Sequence, residues 1–149
     1  MYRHLLVPTD GSALSLRAVK TGARLAISLG AKVSVVHVVS AWIPPVYGDP
    51  LGYLPMASDP QEFKANVERS AQRVLAAAVR RVESLGVSCG SVLCTHEHPW
   101  EGILKTARSR RCDLIVMASH GRRGLAGVLL GSETARLLTH SRVPVLVCK

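Results

Sequence analysis

The feature that most constrains this chain is a rhythm. Five short runs of apolar, largely β-branched residues recur along it: Leu5 to Pro8 (LLVP), Lys32 to Val39 (KVSVVHVV), Val87 to Thr95 (VSCGSVLCT), Asp113 to Ser119 (DLIVMAS) and Val143 to Cys148 (VPVLVC). Each interval between them holds a segment with helical periodicity. A strand returns parallel to its predecessor only through a crossover, so β-α-β-α-β-α-β-α-β alternation implies a parallel sheet. Right-handed crossovers make it doubly wound, with helices on both faces. The expected fold is therefore α/β and Rossmann-like: one doubly wound, five-stranded parallel sheet. If the chain winds outward from the first strand and restarts with the fourth, the strand order is 3-2-1-4-5. No internal repeat or second domain is visible, so residues 1–149 are expected to form one domain.

The helices carry their own punctuation. Ser12 follows the turn Thr9-Asp10-Gly11 and can cap a helix running to about Leu29. Ala18, Gly22, Leu25, Ala26 and Leu29 share one face of it, and Gly30 suits the left-handed position at its end. Asp59-Pro60-Gln61-Glu62 supplies a cap, a first-turn proline and a third-position glutamate for the next helix. Its apolar stripe is Phe63, Val67, Val74, Ala78 and Val82, and Gly86 ends it. His98-Pro99 begins a third helix through about Ser109, with Ile103, Leu104 and Ala107 inward. The fourth runs from Ser132 to about His140. From Trp42 to Ser58 the chain holds four prolines and two glycines. A loop that long is uncommon unless it is functional or mobile.

Composition narrows the setting. A chain of 149 residues can bury a core without disulfides. No apolar run approaches ~18 residues, and the opening MYRHLLVPTDGS lacks the form of a signal peptide, so a cytoplasmic protein is expected. Cys89, Cys94, Cys112 and Cys148 form no C-x-x-C pair and are expected to be reduced and partly buried. The formal charge of +9 favours polyanionic partners, though solubility and charged helix faces explain it equally well. Aromatic residues make up only 4% of the chain, which disfavours stacking on single-stranded nucleic acid. Neither a membrane nor a nucleic acid is an expected partner.

Open α/β sheets bind ligands beyond the carboxyl ends of their strands, where strand order reverses. Two segments with unusual chemistry leave such ends: VPTDGS after the first strand and MASHGRRGLAGVLLGS after the fourth. In the expected order these strands are neighbours, and both loops flank one crevice. Gly121, Gly124, Gly127 and Gly131 allow backbone N–H groups to turn toward an anion. Gly131-Ser132 opens a helix, so free amides and the positive dipole end face the ligand. The Ser132 hydroxyl adds a donor, and Arg122 and Arg123 can close over a phosphate. Asp10, across the crevice, suits ribose hydroxyls. The plainer alternative is a glycine-rich connection with Ser132 as an ordinary N-cap. Neither a P-loop nor a G-x-G-x-x-G fingerprint is present.

These segments resemble the universal stress protein family, of the UspA type. The likeness spans almost the whole chain, through LLVPTDGS, VVHVV and DLIVMASHGRRGLAGVLLGSETARLLTHSRVPVLV. The nucleotide signature of that family is G-x2-G-x9-G-[ST]. Gly121, the nine residues Arg122 to Leu130, and Gly131-Ser132 fit it, while its first glycine falls on Ala118. The resemblance implies an ATP site. Pro8, Thr9 and Asp10 would line the nucleoside side, with Asp10 on the ribose and the Val38 backbone on adenine. Met117 and Ala118 would face base and ribose. Gly121, Arg122, Gly131, Ser132 and the Glu133 amide would hold the phosphates, which would carry Mg2+ or Mn2+ themselves, because no carboxylate cluster is present. If the missing glycine served a positive φ, alanine would cost on the order of 1 kcal/mol. An extended strand end would tolerate it. The implied role is a stress-response sensor or switch, and the alternative is a nucleotide-free interaction protein of the same fold. The family's usual homodimer would pair through the edge strand Val143 to Cys148.

In a strand, Cys94, His96 and His98 would share a face, but no fourth ligand is fixed and His98-Pro99 serves as a helix entry, so no metal site is expected. His120 is expected to order its loop, and His37 to be a satisfied core histidine. Ser132 lacks an assignable base, and the Ser119 and His120 side chains would diverge on an extended backbone. No catalytic residue is expected, and at most slow ATP hydrolysis from an ordered phosphate and cation.

Overall fold

The β-branched runs form strands and the periodic intervals form helices, in the alternation expected. The computed structural model describes residues 1–40, 60–120 and 130–149. In order they form β1 (His4–Pro8), α1 (Ala13–Leu29), β2 (Lys32–Val39), α2 (Pro60–Glu83), β3 (Cys89–Thr95), α3 (Pro99–Ser109), β4 (Leu114–Ala118), α4 (Ser132–His140) and β5 (Val145–Cys148). All four ladders are parallel, and the sheet order is β3-β2-β1-β4-β5. The chain thus winds outward through β2 and β3, then restarts beside β1 with β4. The loop expected from Trp42 to Ser58 and the cap expected at Asp59 lie outside the described residues. No helix among the described residues is long and apolar enough to cross a membrane.

Alternation of side chains divides the core into two layers. Leu5, Val7, Val33, Val35, Leu114 and Val116 face α1 and α2. Leu6, Val36, Ile115 and Met117 face α3 and α4. Helix α1 lies very close to β1: a Cβ on Gly22 would stand 2.9 Å from Val7 Cγ2. That closeness explains a departure from expectation. The buried face of α1 is Ser15, Ala18, Val19, Gly22, Ala23 and Ala26, whereas Leu25 and Leu29 are only half-buried. Small residues let the helix approach the sheet, and the leucines ride at the margin of the contact.

Helix α2 departs in the same sense. Ala71, Leu75, Ala78 and Val82 are buried, but Phe63 is 37% exposed, and Val67 and Val74 are half-buried. A helix of 24 residues is about 36 Å long, whereas a strand of seven residues such as β3 spans about 23 Å. The first turns of α2 therefore outrun the sheet. Its C-terminal half supplies the core.

The caps are local and behave as expected. Ser12 Oγ accepts from Ser15 N at 3.2 Å, and Gly30 and Gly86 end their helices at φ 63° and 78°. At the amino ends of the central strands, Asp113 accepts from the backbone amides of Arg3 and His4 at 2.8 and 2.9 Å. All four thiols are free, with Cys112 buried and the others half-buried. Burial pushes Cys89 and Cys112 up to about 11 and raises Cys148.

Candidate functional site

Strand order reverses between β1 and β4, and their carboxyl ends open side by side. The β1 end combines a locally bonded turn with ties to β2. Thr9 N still donates to Val36 O at 2.9 Å, after which the chain turns through Gly11 at φ 80°, a conformation that favours glycine. Thr9 Oγ1 accepts from Gly11 N at 3.1 Å and lies 3.0 Å from Ser15 Oγ. Asp10 Oδ1 accepts from Ser12 N at 2.9 Å, which fixes the direction of its half-buried carboxylate.

His37 contributes from the neighbouring strand. It is half-buried at the end of β2 and not enclosed in the core. Its Nδ1 donates to Thr9 O at 2.7 Å, which ties β2 to the β1 turn and fixes the tautomer. Backbone parity places Val38. Val36 points its carbonyl toward β1, and residues two apart in a strand point their backbone groups the same way. Val38 therefore presents its backbone to the β1 side beyond Pro8↔Val36, the last pair of that ladder.

The β4 end is built from long-range contacts. Met117 and Ala118 are buried, and Ala118 pairs with Cys148. Among the described residues, Arg111 is the only non-glycine with positive φ, so Ala118 sits in ordinary strand geometry and position 118 needs no glycine for its backbone. Ser119 N donates to Cys148 O at 2.7 Å, and Gly131 N donates to Ser119 O at 2.8 Å. Thr134 Oγ1 donates to Ala118 O at 3.1 Å. These bonds staple the start of α4 onto the end of β4.

Gly131, not Ser132, is the N-cap of α4, at φ −69° and ψ 155°. Its backbone is open to any residue; its smallness is what matters. A Cβ there would lie 3.2 Å from His120 Cα and Cβ and 3.4 Å from Ser119 O. Ser132 is exposed at the first helical position. The amides of Ser132, Glu133 and Thr134 belong to a first turn whose N–H groups have no intrahelical acceptor, so this end can receive an anion. Gly121, Arg122, Arg123, Gly124 and Gly127 lie outside the described residues.

The expected divergence of Ser119 and His120 does not occur. Ser119 Oγ lies 3.1 Å from His120 Nδ1. Strand β4 ends at Ala118, so the backbone is no longer extended there and the two side chains meet.

The universal stress protein family matches this chain over residues 1–149. The chain belongs to that family. It is 30% identical to universal stress protein MJ0531 of Methanocaldococcus jannaschii over 149 residues, covering all of this chain and 83% of that one. The solved structure of hypothetical protein MJ0577 from the same organism superimposes with a TM-score of 0.81 at 27% identity, covering 100% of this chain and 96% of that one. A universal stress protein solved in complex with cAMP gives a TM-score of 0.70 at 25% identity, over 99% and 97% of the two chains.

In this universal stress protein, other polar groups have separate tasks. Strand β3 ends at Thr95, as expected, and His96 and His98 lie beyond it. His96 Nδ1 accepts from His98 N at 3.2 Å, and its Nε2 lies 3.6 Å from Glu101 Oε2. No group of three potential metal ligands occurs among the described residues. Two open concavities, of about 440 and 430 Å³, lie against α2 and α3 and not at the crevice. The contributions of His37, Thr134 and the Glu133 side chain were not foreseen. Each joins segments far apart in sequence, and only the β-end position of His37 offered any signal.

Proposed function

We propose that this chain binds an adenine nucleotide between the carboxyl ends of β1 and β4 and acts as a stress-response sensor or switch. The ligand in this reading is ATP, with Mg2+ or Mn2+ carried on its phosphates. One observation carries it: the strand-order reversal brings the Asp10 turn and the open first turn of α4 to the carboxyl end of neighbouring strands. The cAMP complex of a relative supports the same ligand class. Pro8, Thr9 and Asp10 line the nucleoside side, and the Val38 backbone reads adenine. Met117 and Ala118 face base and ribose, and Ser132 and the Glu133 amide hold phosphate together with Gly121, Arg122 and Gly131. The strand geometry of Ala118 favours this reading over a nucleotide-free interaction protein.

No residue is assigned to catalysis. Ser119 is 2% exposed and not offered as a nucleophile. The proposed assembly is a cytoplasmic homodimer through the β5 edge, where Leu146 is 40% exposed. Isothermal titration with ATP and Mg2+ tests the reading. Saturable binding below millimolar ATP is expected, and no binding at millimolar ATP overturns it in favour of the interaction protein.

A further inference from the structure

The first turn of α3 has an unusual arrangement of hydrogen bonds. A helix opens with N–H groups that need outside acceptors. Here Pro99 has none to offer, and Glu101 N and Gly102 N reach His98 O at 3.1 and 3.2 Å. His98, the N-cap, makes no side-chain capping bond. The remaining donor, Trp100 N, gives its hydrogen bond to Glu133 Oε2 at 2.9 Å, across 33 residues of sequence. Helix α3 is thus capped by a side chain from the first turn of α4.

Trp100 also holds the other end of α4. Its indole stacks on His140 with ring centroids 4.7 Å apart and an interplanar angle of 25°. Helix α4 runs from Ser132 to His140, so one residue of α3 grips it near both ends. Trp100 Nε1 is buried and finds no hydrogen-bond partner among the described residues. The ring is therefore placed by packing, and the backbone bond to Glu133 supplies the directional contact.

The same turn of α3 reaches the opposite side of the crevice. Gly102 is packed so closely on β2 and β3 that a Cβ would stand 2.9 Å from Val38 Cγ1 and 3.2 Å from Cys94 Sγ. Within one helical turn, α3 touches Val38 through Gly102 and α4 through Trp100. It spans the distance between the two ends of the site.

We infer that Trp100 and Glu133 are positioning residues for nucleotide binding: the Glu133 cap on Trp100 sets the phosphate-binding turn of α4 at a fixed distance from Val38. The inference rests on the nucleotide reading above. It also gives the Glu133 carboxylate a task. A carboxylate in the first turn of α4 would repel a phosphate if it swung toward the crevice, and its bond to Trp100 N holds it at the start of α3, where the helix dipole favours negative charge.

The test uses the full chain with Trp42→Phe, leaving Trp100 as its sole tryptophan. Glu133→Ala removes the cap, and Glu133→Gln keeps an acceptor without the charge. Without nucleotide, Glu133→Ala should shift Trp100 emission and increase its quenching by acrylamide, and Glu133→Gln should restore both. With ligand, Glu133→Ala should weaken ATP binding about tenfold while leaving adenosine binding within twofold. Glu133→Gln should recover most of the ATP affinity. Gly102→Ala, which pushes on Val38, should weaken ATP and adenosine together. The ratio of the two affinities is the decisive reading, because general destabilisation lowers both. A changed Trp100 signal with unchanged ATP affinity in Glu133→Ala overturns the positioning role and leaves the nucleotide reading standing. Failure of the Trp42→Phe chain to bind ATP or adenosine overturns both, while its Trp100 signal still reports whether the cap exists.

Discussion

The turns leaving β1 and β4 stand side by side and differ in how much of their bonding is local. At β1 the bonds from Gly11 to Thr9, Ser12 to Asp10 and Ser15 to Ser12 each span two or three residues. At β4 the bonds reach from Ser119 to Cys148 and from Gly131 to Ser119, from Thr134 to Ala118 and from Trp100 to Glu133. A locally bonded turn has its shape as soon as the chain collapses around it. A turn stapled by remote elements has its shape only when those elements are in place. The proposed nucleoside end thus adds two ties to β2, Thr9 N to Val36 O and His37 Nδ1 to Thr9 O, to a locally bonded turn, and the proposed phosphate end depends on α3, α4 and β5.

The sharpest way to break this contrast is at Gly131. Gly131→Val places branched carbon within 3.2 Å of His120 and should cost about 1–3 kcal/mol in thermal unfolding. By displacing α4 it should also reduce ATP affinity by about a hundredfold, measured by titration. Asp10→Ala attacks the local turn. It removes the acceptor for Ser12 N and should lower ATP affinity about tenfold, as for one charged hydrogen bond to ribose. Thr134→Val removes only the staple to Ala118 O. A loss of about 1 kcal/mol in denaturant unfolding is expected, with hydrogen exchange rising at the start of α4 and not in the β1 turn. Ala118→Gly should leave ATP affinity equal or up to about twofold stronger, since the backbone there is an ordinary strand.

The smallest effect is expected at the other end of the same two strands. Burial, with Lys32 second, lowers the His4 pKa below its usual 6.5. At Asp113 burial alone would raise the carboxyl, but the amides of His4 and Arg3 together outweigh it and lower the pKa below 3.8. In both cases the folded state binds fewer protons than the unfolded chain. The His4 contribution is present above about pH 6.5 and is lost as pH falls through its lowered pKa. The Asp113 contribution is present above about 3.8 and is lost as acid deepens. Urea melts between pH 8 and 3 should therefore show stability falling with pH, with Asp113→Asn removing the lower part of that fall. A stability rising on acidification would sink this account.

The two turns also differ in how far they were legible. At β1, Ser12 announces its cap and Gly11 its turn, because each acts on residues two or three positions away. At β4, the glycine at 131 was visible but its reason was not. Its φ of −69° makes no demand for glycine; the approach of His120 does. Ser119 and His120 meet, against expectation, because β4 stops one residue sooner than its apolar run.

The sequence by itself determined the alternation of strands and helices, the parallel sheet and the helix ends at Ser12, Gly30 and Gly86. Those properties follow from hydrophobic period, crossover handedness and backbone preference, all of which act locally or apply to every chain. Only the tertiary structure decided that the strands take the order 3-2-1-4-5, that the leucines of α1 and the first turns of α2 lie at the margin, why position 131 must be small, that His37 serves the β1 turn, and that Glu133 caps a helix 33 residues away. These depend on how closely two packed elements approach. That distance is set by the side chains of both partners together, and neither segment carries it alone.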